Sequence, residues 1–416
     1  MRGRDDVPVA ESYGLDVERR RREVTAHHGV PDFVFRPIDV PKGKGSQREI
    51  GDFLLWVGDV VAIVSHKSRA PDALARESQT RRRLWLEKTI EDGYGQIKGV
   101  ARKLQAADAG EIVLESERGV RVPWDPSRMN GYVGVVVVEG EEPDEDFGPP
   151  LMVDGVRTIA MLGRDWDHLN EVLPSTWSMI MYTARRAHLV PRCPLGSELD
   201  VFALLIEHEN TEQPIEIPQG GLPKDHFEQV QLAHPEWFLG SDPDDRFAFV
   251  IDAMIEGAAD LDPDLSEGAD ALTYLRIVEF LDRIPLLYRV SLGKKVIEHC
   301  EKVGRGGGSS SFRAAVPGGM FVFYTADGDR KDRAAWLKSL TSGRHSQALD
   351  AGASPRLLTL GVATQPIPSP DGGRAHDYVI IHTTIRSDPE FQKRRDRLFG
   401  AQDMSSLVEY WNRRER

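Results

Sequence analysis

The chain has few of the features that mark secreted or membrane proteins. Only two of its 416 residues are cysteines, Cys193 and Cys300, too few for a disulfide framework or a four-cysteine zinc site. The opening stretch, MRGRDDVPVAESYG, lacks the apolar run of a signal peptide. The longest aliphatic runs, such as VGVVVV from Val133, are too short to span a bilayer. We therefore expect a cytoplasmic protein that does not enter a membrane.

Several common catalytic and metal-binding motifs are also absent. The glycine-rich stretch GRGGGSSS lacks the Gly-Lys-Ser/Thr of a phosphate-binding loop. The acidic run that starts at Asp260 has Leu265 and Ala271 where a calcium loop needs glycine and glutamate. Neither G-x-S-x-G nor H-E-x-x-H occurs, so the nucleophile-elbow hydrolases and the zinc peptidases receive no support.

Charge is distributed unevenly along the chain. The formal net charge is −13, yet residues 1–110 contain 20 lysines and arginines against 17 aspartates and glutamates. Residues 111–416 carry 33 against 49 and would suit contact with a protein partner or self-association. The basic runs Arg19–Arg22 and Arg81–Arg83 are either phosphate-binding or ordinary solvated helix faces.

With 40% apolar residues and this length, the chain should fold into two or three domains with an ample core. Apolar residues spaced by three and four predict a long helix over 81–104, packing through Leu86, Ile90, Ile97 and Leu104. We predict an α/β fold built from the following parts: a mixed-sheet domain over 1–150, a mainly helical region over 151–303, a Gly/Ser linker over 304–311 and a small α/β domain over 312–416.

The stretches IGDFLLWV and VVAIVSHK predict a β-hairpin over 50–67. Gly58-Asp59 would form its two-residue turn, with glycine first as a type II′ turn prefers. This register sets Asp52 opposite Ser65 and Ile50 opposite Lys67. Because side chains alternate along a strand, Asp52, Ser65 and Lys67 should share one face. A carboxylate and an ammonium at the end of an apolar hairpin are typical of a small metal site.

These residues resemble a known superfamily. An acid followed about a dozen residues later by (D/E)-x-K on a neighbouring strand resembles the PD-(D/E)XK nucleases, which have the restriction-endonuclease-like fold. The stretch EIGDFLLWVGDVVAIVSHKS is similar to a group of uncharacterised bacterial proteins in that superfamily, with a pattern E-x-x-D and then S-x-K. YGQIKGVARKL supplies the glutamine and glycine of the helix that follows. The resemblance covers about residues 32–105.

The resemblance implies a nuclease that depends on Mg²⁺ or Mn²⁺. It favours DNA over RNA as the substrate. It implies that Asp52 is the main metal ligand and Glu49 an accessory one. Lys67 would stabilise charge on the phosphate or position the nucleophile, and Gln96 would orient the substrate from the helix. A role in antiviral defence is associated with the superfamily alone.

The sequence departs from the superfamily at one position, since Ser65 stands where a second acid is expected. Glu49, or a glutamate of the long helix such as Glu87 or Glu91, would then complete the site, with Ser65 as an accessory group. The alternative is a catalytically degenerate, nuclease-like binding or scaffolding protein. Both alternatives remain open at this point.

Overall fold

The computed structural model divides the chain into two compact units, Met1–Leu239 and Gly240–Arg416. It describes residues 9–36, 38–42, 46–50, 52–69, 78–140, 147, 149–211, 215, 225–238, 243–259, 271–367 and 376–381. Over 38–42 and 46–50, and for a few residues at helix ends, it describes the backbone alone.

Both units mix helices and strands, as the α/β prediction requires. The α-helices of the described residues are α1 (Val9–His28), α2 (Gln79–Ala106), α3 (Gly163–Val172), α4 (Thr176–Leu189), α5 (Glu198–Thr211), α6 (His226–Ala233), α7 (Phe249–Ala259), α8 (Ala271–Asp282), α9 (Leu286–Gly306) and α10 (Arg330–Asp350). The strands are β1 (Val34–Phe35), β2 (Ile38–Lys42), β3 (Ser46–Ile50), β4 (Phe53–Val57), β5 (Val60–Lys67), β6 (Val113–Glu115), β7 (Arg121–Pro123), β8 (Gly131–Val138), β9 (Arg157–Leu162), β10 (Ser309–Val316), β11 (Gly319–Ala326), β12 (Leu358–Thr364) and β13 (His376–Ile381).

A five-stranded mixed sheet forms the centre of the first unit, in the order β1-β4-β5-β8-β9. The first two pairings, β1 with β4 and β4 with β5, are antiparallel, whereas β5 with β8 and β8 with β9 are parallel. Strand β4 is buried along its whole length, and so are nearly all residues of β5 and β8. Such continuous burial means that both faces of the sheet are covered, and α2 and α4 are among the helices that pack on it.

The β4–β5 hairpin has the predicted register. Phe53 pairs with Val64 and Trp56 with Val61. Gly58 has φ 62°, whereas Asp59 does not have a positive φ, as a type II′ turn requires. The prediction that Ile50 lies opposite Lys67 is wrong, because Ile50 belongs to β3 and pairs with Ile38 of β2 in a separate two-stranded sheet.

Helix α2 follows from its apolar spacing. Its buried positions recur every three or four residues and therefore form one stripe, which packs on β5 and β8. All four predicted packing residues are in that stripe, whose members are Leu86, Ile90, Gly93, Tyr94, Ile97, Val100, Ala101 and Leu104.

The second unit contains a four-stranded sheet in the order β10-β11-β12-β13. Strands β11 and β12 are parallel, and helix α10 connects them and packs on both. Strands β10 and β13 pair antiparallel at the two edges. One hydrophobic cluster lies between this sheet and α10: Met320, Val322, Leu340, Ala348, Ala353 and Leu357.

The predicted Gly/Ser linker over 304–311 is wrong. Helix α9 runs to Gly306, and β10 starts at Ser309 and pairs with β11 from its first residue. Gly307 and Gly308 have φ values of 68° and 85° and make the turn between them. Glycine reaches this left-handed region without steric cost, so a composition typical of flexible linkers here forms a tight helix-to-strand connection.

The predicted boundaries of the first two parts also differ from the structure. Strand β9, over residues 157–162, pairs with β8 in the central sheet, so the first unit continues beyond residue 150. The region 151–303 is mainly helical, as predicted, but its helices are divided between the two units at residue 239.

No helix within the described residues is both long and apolar enough to cross a lipid bilayer.

Candidate active site

The first site residue, Asp52, lies directly before β4, where the hairpin ladder ends. Its backbone N–H donates to Val64 O at 3.4 Å. Its carboxylate Oδ2 accepts a hydrogen bond from the backbone N–H of His66. A side-chain oxygen thus accepts the hydrogen bond of a β5 amide at the end of the hairpin, which fixes the carboxylate against β5.

Gln96 of α2 joins Asp52 to the other predicted site residues. Its Nε2 donates to Asp52 Oδ1 at 3.1 Å. Its Oε1 accepts from Ser65 Oγ at 3.0 Å and also from Lys67 Nζ. Asp52, Ser65, Lys67 and Gln96 therefore form one hydrogen-bonded cluster, in which the amide separates the carboxylate from the ammonium.

Burial differs within the cluster. Ser65 is fully buried, whereas Asp52, Lys67 and Gln96 are half-buried. The half-buried groups are open to solvent on one side and can therefore meet a ligand. Ser65 has no such access and acts on the cluster only through Gln96.

The three candidate glutamates are placed differently. Glu87 and Glu91 are exposed on α2, and Glu87 pairs with Arg83 at 3.2 Å. At about 100° per residue they lie about 180° and 140° around the helix from Gln96. Helix α2 thus does not bring them to the cluster. Glu49 lies in β3 opposite Asp39, and its side chain is outside the described part of the chain.

The first basic run makes structural ion pairs. Arg21 and Arg22 have side chains only 12% and 14% exposed. Arg21 binds Glu139 at 2.7 Å, and Arg22 pairs with Glu117. Their guanidinium groups are therefore engaged with carboxylates. In the second run, Arg83 pairs with Glu87, as described above, and Arg81 is exposed at the start of α2.

Comparison of the chain with known protein families, with curated proteins and with solved structures gives no match.

The donor set of the cluster suits a hard cation only in part. Both Asp52 oxygens already accept one hydrogen bond, and each keeps further lone-pair capacity. Mg²⁺ is commonly held by one or two carboxylates while it keeps several waters, so Asp52 fits as one ligand. Across the part of the chain that the structure describes, no three His, Cys, Asp or Glu side chains form a metal-binding group.

Two features of this unit were missed by the sequence reasoning. The first is Glu139, directly after β8, which no sequence motif marks. Its Oε1 lies 3.0 Å from His66 Nε2 and accepts a hydrogen bond from Arg21. Burial alone would raise the pKa of Glu139, but the His66 and Arg21 hydrogen bonds and charges lower it to about 2.

The second is a buried polar cluster of α3, α4 and α5. Arg186 and Glu198, each 2% exposed, pair at 3.0 Å, and Tyr182 donates to Glu198 at 2.6 Å. Nearby Asp165 is 4% exposed, and its Oδ2 has no hydrogen-bond partner among the described residues. Burial, with the negative charge of Glu198, raises the pKa of Asp165 to about 7. No motif in the sequence marks these residues, because an ion pair between side chains of different helices leaves no local sequence pattern.

Proposed function

We propose that the protein is a metal-dependent nuclease that hydrolyses phosphodiester bonds, with DNA as its main substrate. We also propose that it acts in the cytoplasm. One observation carries this proposal: the Gln96 amide holds Asp52, Ser65 and Lys67 in a single cluster at the end of the hairpin. The five-stranded mixed sheet with α2 packed on it is compatible with a restriction-endonuclease-like domain, which we also propose.

The residues divide the chemistry in a simple way. Asp52 would hold Mg²⁺ or Mn²⁺, with Glu49 as the proposed second ligand. The cation held by these residues would polarise the scissile phosphate and lower the pKa of the attacking water. Lys67 supplies a fixed positive charge beside the phosphate oxygens, which stabilises the negative charge that develops during hydrolysis.

Gln96 gives the cluster its geometry. Its Oε1 faces two donors and its Nε2 faces a carboxylate, so all three hydrogen bonds require the same orientation of the amide. It keeps the Asp52 carboxylate and the Lys67 ammonium on the same face without direct charge neutralisation. Both charges therefore stay available to a substrate and a cation.

The second candidate function is a nuclease-like binding or scaffolding protein without catalysis. The burial of Ser65 favours it, because a buried hydroxyl cannot replace the missing second acid as a ligand. In that case the acidic later part of the chain would contact a protein partner or a second copy. Nucleic-acid binding without metal-dependent cleavage is the outcome that separates this function from the first.

The test is a cleavage assay on plasmid DNA, single-stranded DNA and RNA, with Mg²⁺, Mn²⁺ or a chelator. Asp52→Asn keeps the shape of the side chain and removes its charge, so we expect it to abolish cleavage. Lys67→Ala should lower the rate by about 10²-fold or more, as removal of one electrostatic stabiliser does. Ser65→Ala should have a far smaller effect, because Ser65 acts only through Gln96.

Asp59→Asn is the matched control, since Asp59 lies at the turn end of the same hairpin and hydrogen-bonds Asn130. It should cleave at the wild-type rate. Wild-type cleavage by both Asp52→Asn and Lys67→Ala would contradict the proposed site. If the wild-type protein cleaves nothing in Mg²⁺ or Mn²⁺ yet binds DNA by fluorescence anisotropy, the second candidate function is the correct one.

A further inference from the structure

Strand β5 presents different side chains to its two faces. Ser65 and Lys67 contact Gln96 on one face, and His66, between them, lies on the other because side chains alternate. The His66 side chain is 2% exposed, and its Nε2 is 3.0 Å from Glu139 Oε1. The backbone N–H of the same residue donates to Asp52 on the site face. His66 therefore connects the candidate site to a half-buried carboxylate on the opposite face of the sheet.

Glu139 binds the end of β5 through both its backbone and its side chain. Its backbone N–H donates to Lys67 O at 2.7 Å, which extends the parallel β5–β8 ladder by one residue beyond the Lys67–Val138 pair. Its side chain, 20% exposed, contacts His66. Glu139 thus fixes two consecutive residues of β5. The backbone N–H of the first, His66, donates to Asp52, and the side chain of the second, Lys67, donates to Gln96.

Glu139 is itself held from outside the sheet. Arg21 of α1 donates from Nε to Glu139 Oε1 at 2.7 Å and also pairs with Asp167 of α3. The pKa of Glu139, lowered to about 2, keeps it ionised at neutral pH. An anion of fixed position then orients the His66 ring, whose Nε2 donates to it.

We propose that Glu139 is a positioning residue for the Asp52–Lys67 site, acting from the opposite face of the sheet through His66 and the Lys67 carbonyl. This inference rests on the proposed nuclease function for its kinetic consequence. Its structural part, the fixing of the end of β5, does not depend on catalysis. The role is comparable to that of groups that orient metal ligands from behind, whose loss typically lowers activity or metal affinity by about 10- to 100-fold.

The test compares Glu139 with Glu117, which lies in the turn between β6 and β7. Glu117 accepts a hydrogen bond from Arg22, the neighbour of Arg21 on α1, and is similarly buried at 14% exposure. Glu117 therefore makes an equivalent ion pair with α1, but it lies beside β6 and β7 and not at the end of β5. Glu139→Ala should lower kcat for DNA cleavage by about 10- to 100-fold with little change in KM. Glu117→Ala should leave kcat unchanged.

Two further variants separate geometry from charge. Glu139→Gln keeps an oxygen at the same distance, so it should restore most of the lost kcat. Glu139→Asp keeps the charge but withdraws the carboxylate by one methylene group, so it should resemble Glu139→Ala. Glu139→Asp also carries the test if Glu139→Ala does not fold. Unchanged kcat in Glu139→Asp, or an equal loss in Glu117→Ala, would overturn the proposal.

Hydrogen–deuterium exchange of the backbone amides over 60–69 gives a readout that needs no catalysis. The His66 amide should exchange faster in Glu139→Asp than in the wild-type protein or Glu117→Ala. If the wild-type protein cleaves no nucleic acid, the proposed function fails while this measurement still decides the role of Glu139. Identical exchange in all three proteins would refute it.

Discussion

Gln96 joins the other residues of the candidate site, because three hydrogen bonds meet at its amide. The sequence pointed to it only through a resemblance, whereas the hairpin register alone placed Asp52, Ser65 and Lys67 together. Register follows from turn chemistry and alternation, which are local. The contact of Gln96 with the hairpin depends on how α2 packs, and no local pattern specifies that.

Ionisation of the buried Asp165 should lower the stability of the folded protein between about pH 4 and about pH 7. Its pKa is raised from 3.8 to about 7 by burial and by the charge of Glu198. The folded protein therefore keeps a proton that the unfolded chain releases near pH 4. The stabilising contribution is complete below about pH 4 and is lost as the pH rises through about 7.

Asp165→Asn should remove this pH dependence, because the amide cannot ionise. Between pH 5 and 8 the free energy of unfolding of the wild-type protein should fall by about 3 kcal/mol more than that of the variant. Urea unfolding at both pH values measures this difference. Asp108→Asn, at an exposed position, is the control and should follow the wild-type curve. A parallel fall in Asp165→Asn and wild type would contradict the assignment.

At the scale of elements, α2 shows how closely a helix approaches the sheet. A Cβ atom at Gly93 would lie 2.7 Å from Val136 Cγ1 of β8, whereas one at Gly95 would have no atom within 4 Å. Glycine at position 93 thus permits the close approach that brings Gln96, three residues later, to the hairpin. The glycine at position 95 has no such packing role.

The two glycines should respond to alanine in opposite directions. Gly93→Ala should lower the free energy of unfolding by about 1–3 kcal/mol, because Val136 is fully buried and cannot move aside freely. Gly95→Ala should raise it by about 0.5–1 kcal/mol, because alanine loses less backbone entropy in a helix. Chemical denaturation of both variants gives the comparison, and stabilisation by Gly93→Ala would show that the helix lies further from β8.

At the scale of the whole molecule, the division at residue 239 differs from the predicted boundary at residue 150. Strand β9 and helix α4 complete the central sheet and its covering layer, and both lie beyond residue 150. A chain cut at 150 would expose the β8 edge and leave apolar surface uncovered. For the same reason, the part of the chain that we expect to fold by itself ends at residue 239, where the first unit ends.

A fragment of residues 1–239 should fold by itself and unfold cooperatively, whereas a fragment of residues 1–150 should not. Thermal unfolding followed by circular dichroism distinguishes the two outcomes. If the 1–239 fragment is the nuclease, it should also keep the metal-dependent cleavage of the full chain. Cooperative unfolding of the 1–150 fragment would instead support the boundary predicted from the sequence.

The sequence by itself determined the α/β class, the hairpin with its register and the apolar stripe of α2, because turn chemistry and periodicity act over short distances along the chain. Tertiary structure alone decided how the Gln96 amide bonds to the hairpin, how Glu139 reaches His66 and where the first unit ends. The stretch at 304–311 shows the same limit, since its glycines suit a linker or a tight turn equally well. Only the pairing of β10 with β11 selects the turn. These features depend on contacts between residues that are far apart in the chain. A local stretch of sequence does not show which of these contacts are favourable.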